Sequence, residues 1–207
     1  SHVAVKRVLD ILGSLSAIAL FSPIMIGAAV AVRLTSKGPV LFKQKRVGRH
    51  GRTFQFLKFR SMRCETDENV HKEFVSKFIA GRSEGEQSGI YKIVKDPRLT
   101  PVGGFLRRSS IDELPQFFNV LMGDMTIVGP RPPIPYEVAK YRPWHRRRLM
   151  SVKPGITGLW QVTGRSRVTF DEMVRLDLKY VRDWSPWLDV RIILKTPGAV
   201  LGGSGAC

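Results

Sequence analysis

The sequence predicts an α+β fold that is mostly helical, with one small β-hairpin sheet, an N-terminal re-entrant membrane helix and interfacial amphipathic helices. Three observations predict it. Residues 11–32 carry no charge and are interrupted once, at Ser22-Pro23. Two short runs rich in Phe, Val and Leu, residues 40–47 and 53–62, flank Gly48-Arg49-His50-Gly51. Beyond residue 100, apolar residues recur at helical spacing between breaks rich in Gly and Pro.

The uncharged run comes first. A spanning helix needs about 20 apolar residues, so length permits a crossing. Pro23 argues against a simple one, because proline removes a backbone donor and clashes with the preceding turn. Each arm is then about 15 Å long at 1.5 Å per residue, roughly half the hydrocarbon thickness. Lys6 and Arg7 precede the run, and Arg33, Lys37, Lys43, Lys45 and Arg46 follow it. Positive charge favours the cytoplasmic side, so basic flanks at both ends suit a helix–break–helix that dips in and returns to one face. Ser22 can bond a freed carbonyl where no water is available. A kinked spanning helix and a buried soluble helix are the competing readings. A cleavable signal peptide is not, because the run is long and no cleavage site follows it. This divides the chain into residues 3–36, the membrane helix, and 37–207, a domain on the cytosolic face.

The next elements follow in order. Residues 40–47 and 53–62 read as a hairpin with a four-residue loop. On the second strand Phe54, Phe56, Lys58 and Arg60 share one face. That face runs from core to a charged rim. Residues 65–87 are polar with a weak helical pattern, and 81–89 read as a solvated loop. Thr100-Pro101 reads as a helix start, with Thr as N-cap and Pro first inside. An apolar helix then runs through Leu121 to a stop at Gly123-Asp124. Thr126-Ile127-Val128 is a short strand candidate. Residues 136–150 read as one basic helix, 153–158 as a turn-rich connection with Gly164-Arg165 nearby, and 170–181 as a helix. Trp184 and Trp187 lead an apolar tail broken by Pro197, suited equally to a membrane interface or a core.

Composition narrows the function. Lys and Arg number 34 against 17 Asp and Glu, a net charge of +17, which draws the chain to something anionic. The two cysteines, Cys64 and Cys207, make no disulfide framework, and the four scattered histidines make no zinc site.

Chemistry concentrates at Asp112-Glu113, just after Arg107 and Arg108. Adjacent carboxylates repel, so they need a reason. One is capping: Ser110 and Glu113 have capping-box spacing, or Asp112 is itself the N-cap. The other is catalytic. Arginines immediately before a helix N-terminus favour a phosphate, and carboxylates beside a phosphate can hold a divalent metal or attack phosphorus. Arg131, locked between Pro130 and Pro132, presents a rigid fork for a diphosphate or base.

These residues sit in a longer pattern. It comprises Lys6-Arg7 through Asp10, Ser22-Pro23, Gly38-Pro39-Val40-Leu41-Phe42-Lys43-Gln44, Lys58-Phe59-Arg60-Ser61-Met62 and Arg107 to Gln116. It continues with Gly123-Asp124-Met125, Val128-Gly129-Pro130-Arg131-Pro132, Lys153-Pro154-Gly155-Ile156-Thr157-Gly158, Leu176-Asp177 and Tyr180-Val181. In this order, over nearly the whole chain, the pattern resembles the bacterial sugar transferase family. These are monotopic phosphoglycosyl transferases, and the match looks like the catalytic domain of a long-form member. The resemblance implies transfer of a sugar-1-phosphate from a UDP-sugar to undecaprenyl (polyprenyl) phosphate, with release of UMP. That is the first membrane step of exopolysaccharide, capsule, O-antigen or glycoprotein glycan assembly. It implies Asp112 as nucleophile, Glu113 as ligand or orienter of Mg²⁺, and a helix break at Ser22-Pro23. Lys58, Arg60, Arg107, Arg108, Pro130, Arg131, Pro132 and Asp177 are the expected substrate-binding set. The expected setting is the cytoplasmic face of the bacterial inner membrane, with no nucleic-acid partner and homo-oligomerisation open. The sugar stays open. Three other classes compete: a basic nucleic-acid-binding protein, a non-catalytic lipid-binding protein, and a glycosyl transferase releasing nucleoside diphosphate.

Overall fold

A computed structural model describes residues 2–62, 76, 79, 99–163 and 168–201. The expectations for 65–87 and 81–89 fall outside the described residues, apart from Ser76 and Ile79, which are helical. Gly164-Arg165 and both cysteines also lie outside them.

Helix α1 spans His2–Thr35. Pro23 lies inside it and does not divide it into two elements, which corrects the expected helix–break–helix. Ser22 Oγ donates to Ala19 O at 2.9 Å, as expected of a serine beside a proline. Both ends of α1 are tied to the same body. Near the first, Asp10 is buried and accepts from Thr126 Oγ1 at 2.8 Å and Ile127 N at 2.9 Å. Near the second, Ala28 and Val32 pack with Phe59 and Leu106. Between them, residues 15–27 include no buried residue, and Leu20 is 72% exposed.

Strands β1 (Leu41–Val47) and β2 (Thr53–Phe59) form the expected antiparallel hairpin, with Leu41 opposite Phe59 and Val47 opposite Thr53. The loop is one residue longer than expected, and His50 and Gly51 turn it at positive φ. The next helix, α2, spans Gly103–Arg108 and starts later than Thr100-Pro101 suggested. Thr100 N donates to Ser61 O at 3.0 Å, extending the hairpin's end and delaying the helix.

A 3₁₀ turn, Ile111–Glu113, precedes α3, Gln116–Met122, which ends at Gly123 with φ 90°. Glycine takes that left-handed C-cap without steric cost. Arg7 donates to Val120 O and Leu121 O at 2.6 and 2.7 Å, satisfying carbonyls at the end of α3.

Strand β3, Thr126–Val128, pairs in parallel with β4, Gly155–Thr157, where only a turn-rich connection was expected. The expected basic helix is instead α4 (Pro135–Ala139), α5 (Pro143–Arg146) and a 3₁₀ turn at Arg147–Leu149. Pro143 explains the break, because the residue before proline avoids helical ψ, and Arg142 has ψ 158°.

Helix α6 spans Leu159–Thr163 and was not foreseen. Helix α7, Phe170–Arg182, opens on a capping box between Thr169 and Glu172 and buries Phe170, Met173, Val174, Asp177 and Tyr180 along one stripe. Helix α8, Pro186–Leu201, continues through Pro197 where a break was expected. The cores cluster around Trp160, Phe170 and Met173, around Phe56, Val120 and Met125, and around Val128, Tyr180 and Ile192. Among the described residues the fold is thus mostly helical, with two two-stranded sheets.

Candidate active site

Period-two alternation along β2 places Phe56 in the core and carries Lys58 to the edge of a cleft. There Lys58 Nζ lies 2.7 Å from Glu113 Oε1 and 3.8 Å from Asp112 Oδ2. Asp112 is only 3% exposed. Neither capping reading is met: Ser110 makes no side-chain cap bond, and Asp112 lies inside the 3₁₀ turn. Ser110 instead adopts φ 57°, a left-handed conformation that costs a non-glycine residue about 1–2 kcal/mol. This sharp turn presents both carboxylates to the β2 edge.

The walls of this narrow, partly open cleft include Arg46, Lys58, Glu113, Gln116, Arg131, Pro132 and Gln161. Three cations therefore face one small space. Arg46 is buried on β1 and donates to Pro132 O at 2.9 Å, with its guanidinium 5.1 Å from the centre of the Phe56 ring. Burial first, then the charge of Arg131, pushes the Arg46 guanidinium down to about 10, so it remains cationic at neutral pH. Such a set suits an anion with several oxygens, as a diphosphate has.

Among the expected residues, the structure brings together Lys58, Glu113, Arg131 and Pro132 in this cleft, with Asp112 beside Lys58. Pro130 is buried beneath it, its carbonyl accepting from Gly155 N at 2.8 Å. The others do not line the cleft. Arg60 is buried and donates to Ser36 O and Oγ at 2.7 and 2.8 Å, joining β2 to the end of α1. Arg107 and Arg108 close α2, and Arg108 is exposed. The 3₁₀ turn separates both from α3, which corrects the picture of arginines immediately before a helix N-terminus. Asp177 is buried against Arg148, with Nη1 to Oδ2 at 2.6 Å, and burial raises its carboxyl to about 6 against the opposing pull of Arg148.

Sequence reasoning missed Arg46, Gln116 and Gln161. Arg46 was counted only among the flanking charges of the hydrophobic run. Its place opposite Phe54 follows from the hairpin register that the structure shows.

Among the described residues, no group of three or more His, Cys, Asp or Glu could hold a metal. Asp112 and Glu113 do fit a magnesium ion that binds through one or two carboxylates and takes its remaining oxygens from substrate phosphates and water. The position of the Lys58 ammonium shows that a cation is accommodated beside both.

Comparison with known proteins adds to this geometry. The family described as bacterial sugar transferase matches residues 1–203. The chain is 47% identical over 208 residues to the galactosyl transferase CpsE of Streptococcus agalactiae serotype III, covering 100% of this chain and 44% of that protein. It is 44% identical over 201 residues to the undecaprenyl-phosphate galactose phosphotransferase of Salmonella typhimurium, covering 97% and 41%. It is 41% identical over 203 residues to the UDP-glucose:undecaprenyl-phosphate glucose-1-phosphate transferase of Klebsiella pneumoniae, covering 94% and 40%. The chain thus spans less than half the length of these relatives.

Proposed function

The chain belongs to the bacterial sugar transferase family, and from that premise we propose that it transfers a sugar-1-phosphate from a UDP-sugar to undecaprenyl phosphate, releasing UMP. The observation that carries this reading is the Asp112–Lys58–Glu113 cluster at a cleft lined by Arg46 and Arg131.

A carboxylate oxygen of Asp112 attacks the sugar-bearing phosphorus of the diphosphate. The bond from that phosphorus to the bridging oxygen breaks, and UMP leaves with the electron pair. The resulting phosphosugar–aspartyl ester is then attacked at phosphorus by an oxygen of undecaprenyl phosphate. The bond to Asp112 breaks, regenerating its carboxylate and yielding undecaprenyl-diphospho-sugar. Arg46, Arg131 and Lys58 balance the diphosphate's charge and hold it for in-line attack. Glu113, with Asp112 beside it, would hold Mg²⁺, which supplies further neutralisation of charge on the phosphoryl oxygens.

The lipid acceptor explains why such an enzyme enters a membrane. The re-entrant reading of α1 rests on its two anchored ends and its exposed apolar middle. A helix bent at Pro23 while staying helical would leave the body and return to it, keeping Lys6, Arg7, Arg33 and Lys37 on the cytoplasmic side of the inner membrane. The exposed Phe105, Phe118, Met122, Trp187 and Leu194 suit the same interface.

The test is nucleotide release by detergent-solubilised protein with Mg²⁺, undecaprenyl phosphate and a panel of UDP-sugars. UMP is the expected product with one donor. Asp112→Asn is expected to lower its release at least about a thousandfold. UDP as product, or full turnover by Asp112→Asn, would overturn the proposal.

A further inference from the structure

We infer that Gln116 and Gln161 form a neutral hydrogen-bonding subsite in the cleft, reading a paired donor and acceptor on the nucleotide sugar beside its diphosphate. This inference rests on the function proposed above. It starts from an imbalance in the cleft wall. Gln116 opens α3 and is 2% exposed, yet its Nε2 has no hydrogen-bond partner among the described residues. Gln161, on α6, leaves its buried Oε1 in the same condition. Both side chains line the one cleft.

Buried amide atoms are nearly always paired, and leaving one unpaired costs as much as the bond is worth or more. Two in one small wall, on different elements, call for a partner that enters the cleft. Arg46, Lys58 and Arg131 only donate, so none of them can accept from Gln116 Nε2. An anion alone does not satisfy both amides, because the free Gln161 oxygen must accept a hydrogen bond. A single partner for both amides must therefore carry an acceptor and a donor close together.

Two parts of a UDP-sugar have that chemistry. The imide edge of uracil offers a carbonyl oxygen next to N3–H. Neighbouring sugar hydroxyls offer both functions as well. The space around Gln161 is also kept open by glycine: a Cβ on Gly158 would lie 3.2 Å from Gln161 Oε1.

The experiment measures kcat/KM for UMP release by the full chain in detergent, using three kinds of donor. One is the preferred UDP-sugar. The second carries 3-methyluridine and so lacks the imide N–H. The third is a series of deoxy sugars, each lacking one hydroxyl. Gln116→Met and Gln161→Met remove each amide at similar volume. Wild-type protein should disfavour one class of analogue about tenfold or more, and each variant should lose about tenfold on the parent donor. In the variants, discrimination against that class should collapse towards unity. Collapse with 3-methyluridine assigns the subsite to the base, and collapse with a deoxy sugar assigns it to the sugar. An unchanged selectivity ratio in both series, whatever the overall rate, overturns the inference. Gln161→Met decides alone if Gln116→Met does not fold, since Gln161 is only partly buried on a short helix. Wild-type protein that releases no UMP from any donor overturns the proposed function instead, and this subsite with it.

Discussion

Two neighbouring carboxylates repel one another, and Lys58 lies within 3.8 Å of Asp112 and 2.7 Å of Glu113 to offset that repulsion. Charge is also buried away from the cleft, where it joins elements. Asp189 accepts from Lys6, Tyr180 and Trp184, tying the start of α1 to α7 and α8. Burial and the adjacent Asp189 carboxylate push the Tyr180 hydroxyl far up, so it stays a donor at any working pH. His145 yields a prediction at this scale. Its Nδ1 accepts from Arg142 N at 3.2 Å, and its Nε2 lies 3.0 Å from Asp171 Oδ1. Burial lowers its pKa below 6.5, with the Asp171 hydrogen bond opposing. The unfolded imidazole therefore takes up a proton at a pH where the folded one stays neutral. Its contribution to stability is present above 6.5 and is lost as pH falls through the folded value. The thermal midpoint in detergent should fall as pH is lowered from 7.5 to 5.5. His145→Leu should flatten that fall. An identical fall in the variant would assign the effect to other groups.

At the scale of elements, the cleft depends on how closely β3 and β4 approach. A Cβ on Gly155 would lie 2.1 Å from Gly129 N and 2.7 Å from Gly129 Cα, both backbone atoms that cannot swing aside. Gly155 N also holds Pro130 O at 2.8 Å, next to Arg131. Gly155→Ala should therefore cost about 1–3 kcal/mol or more and should lower turnover at least tenfold by displacing Arg131. Gly104→Ala is the control, because nothing lies within 4 Å of its added Cβ and alanine favours a helix. Melting curves and UMP release for the pair check both halves. Equal behaviour would mean that the strands relax without cost. The same scale shows what was legible locally. The hairpin, β3 and α7 follow from period, turn residues and caps. The division of the basic stretch 136–150 is also legible in Pro143, because the residue before proline avoids helical ψ. Strand β4 had no such signal, because three residues beside glycine become a strand only when a partner lies alongside.

For the whole molecule, the net charge of +17 and the apolar residues that α1 leaves exposed suit contact with an anionic membrane. Sidedness tests the re-entrant reading. Ala4→Cys and Lys37→Cys, each in a chain with Cys64→Ser and Cys207→Ser, should react with an impermeant thiol reagent from the cytoplasmic side only. Labelling of the two positions from opposite sides would mean that α1 spans the bilayer.

The sequence by itself determined the apolar helix, the hairpin, the carboxylate pair and the family pattern, because each is written in residues close together along the chain. It marked Asp112, Glu113, Lys58 and Arg131 through charge and rigid turns. Only the tertiary structure decided that Arg46 belongs in the cleft, that Arg60 and Asp177 are bound in contacts outside it, and that Gln116 and Gln161 line one cleft wall. Those outcomes depend on which faces of distant elements pack together, and neutral or singly charged residues on such faces leave no period or spacing that announces the encounter.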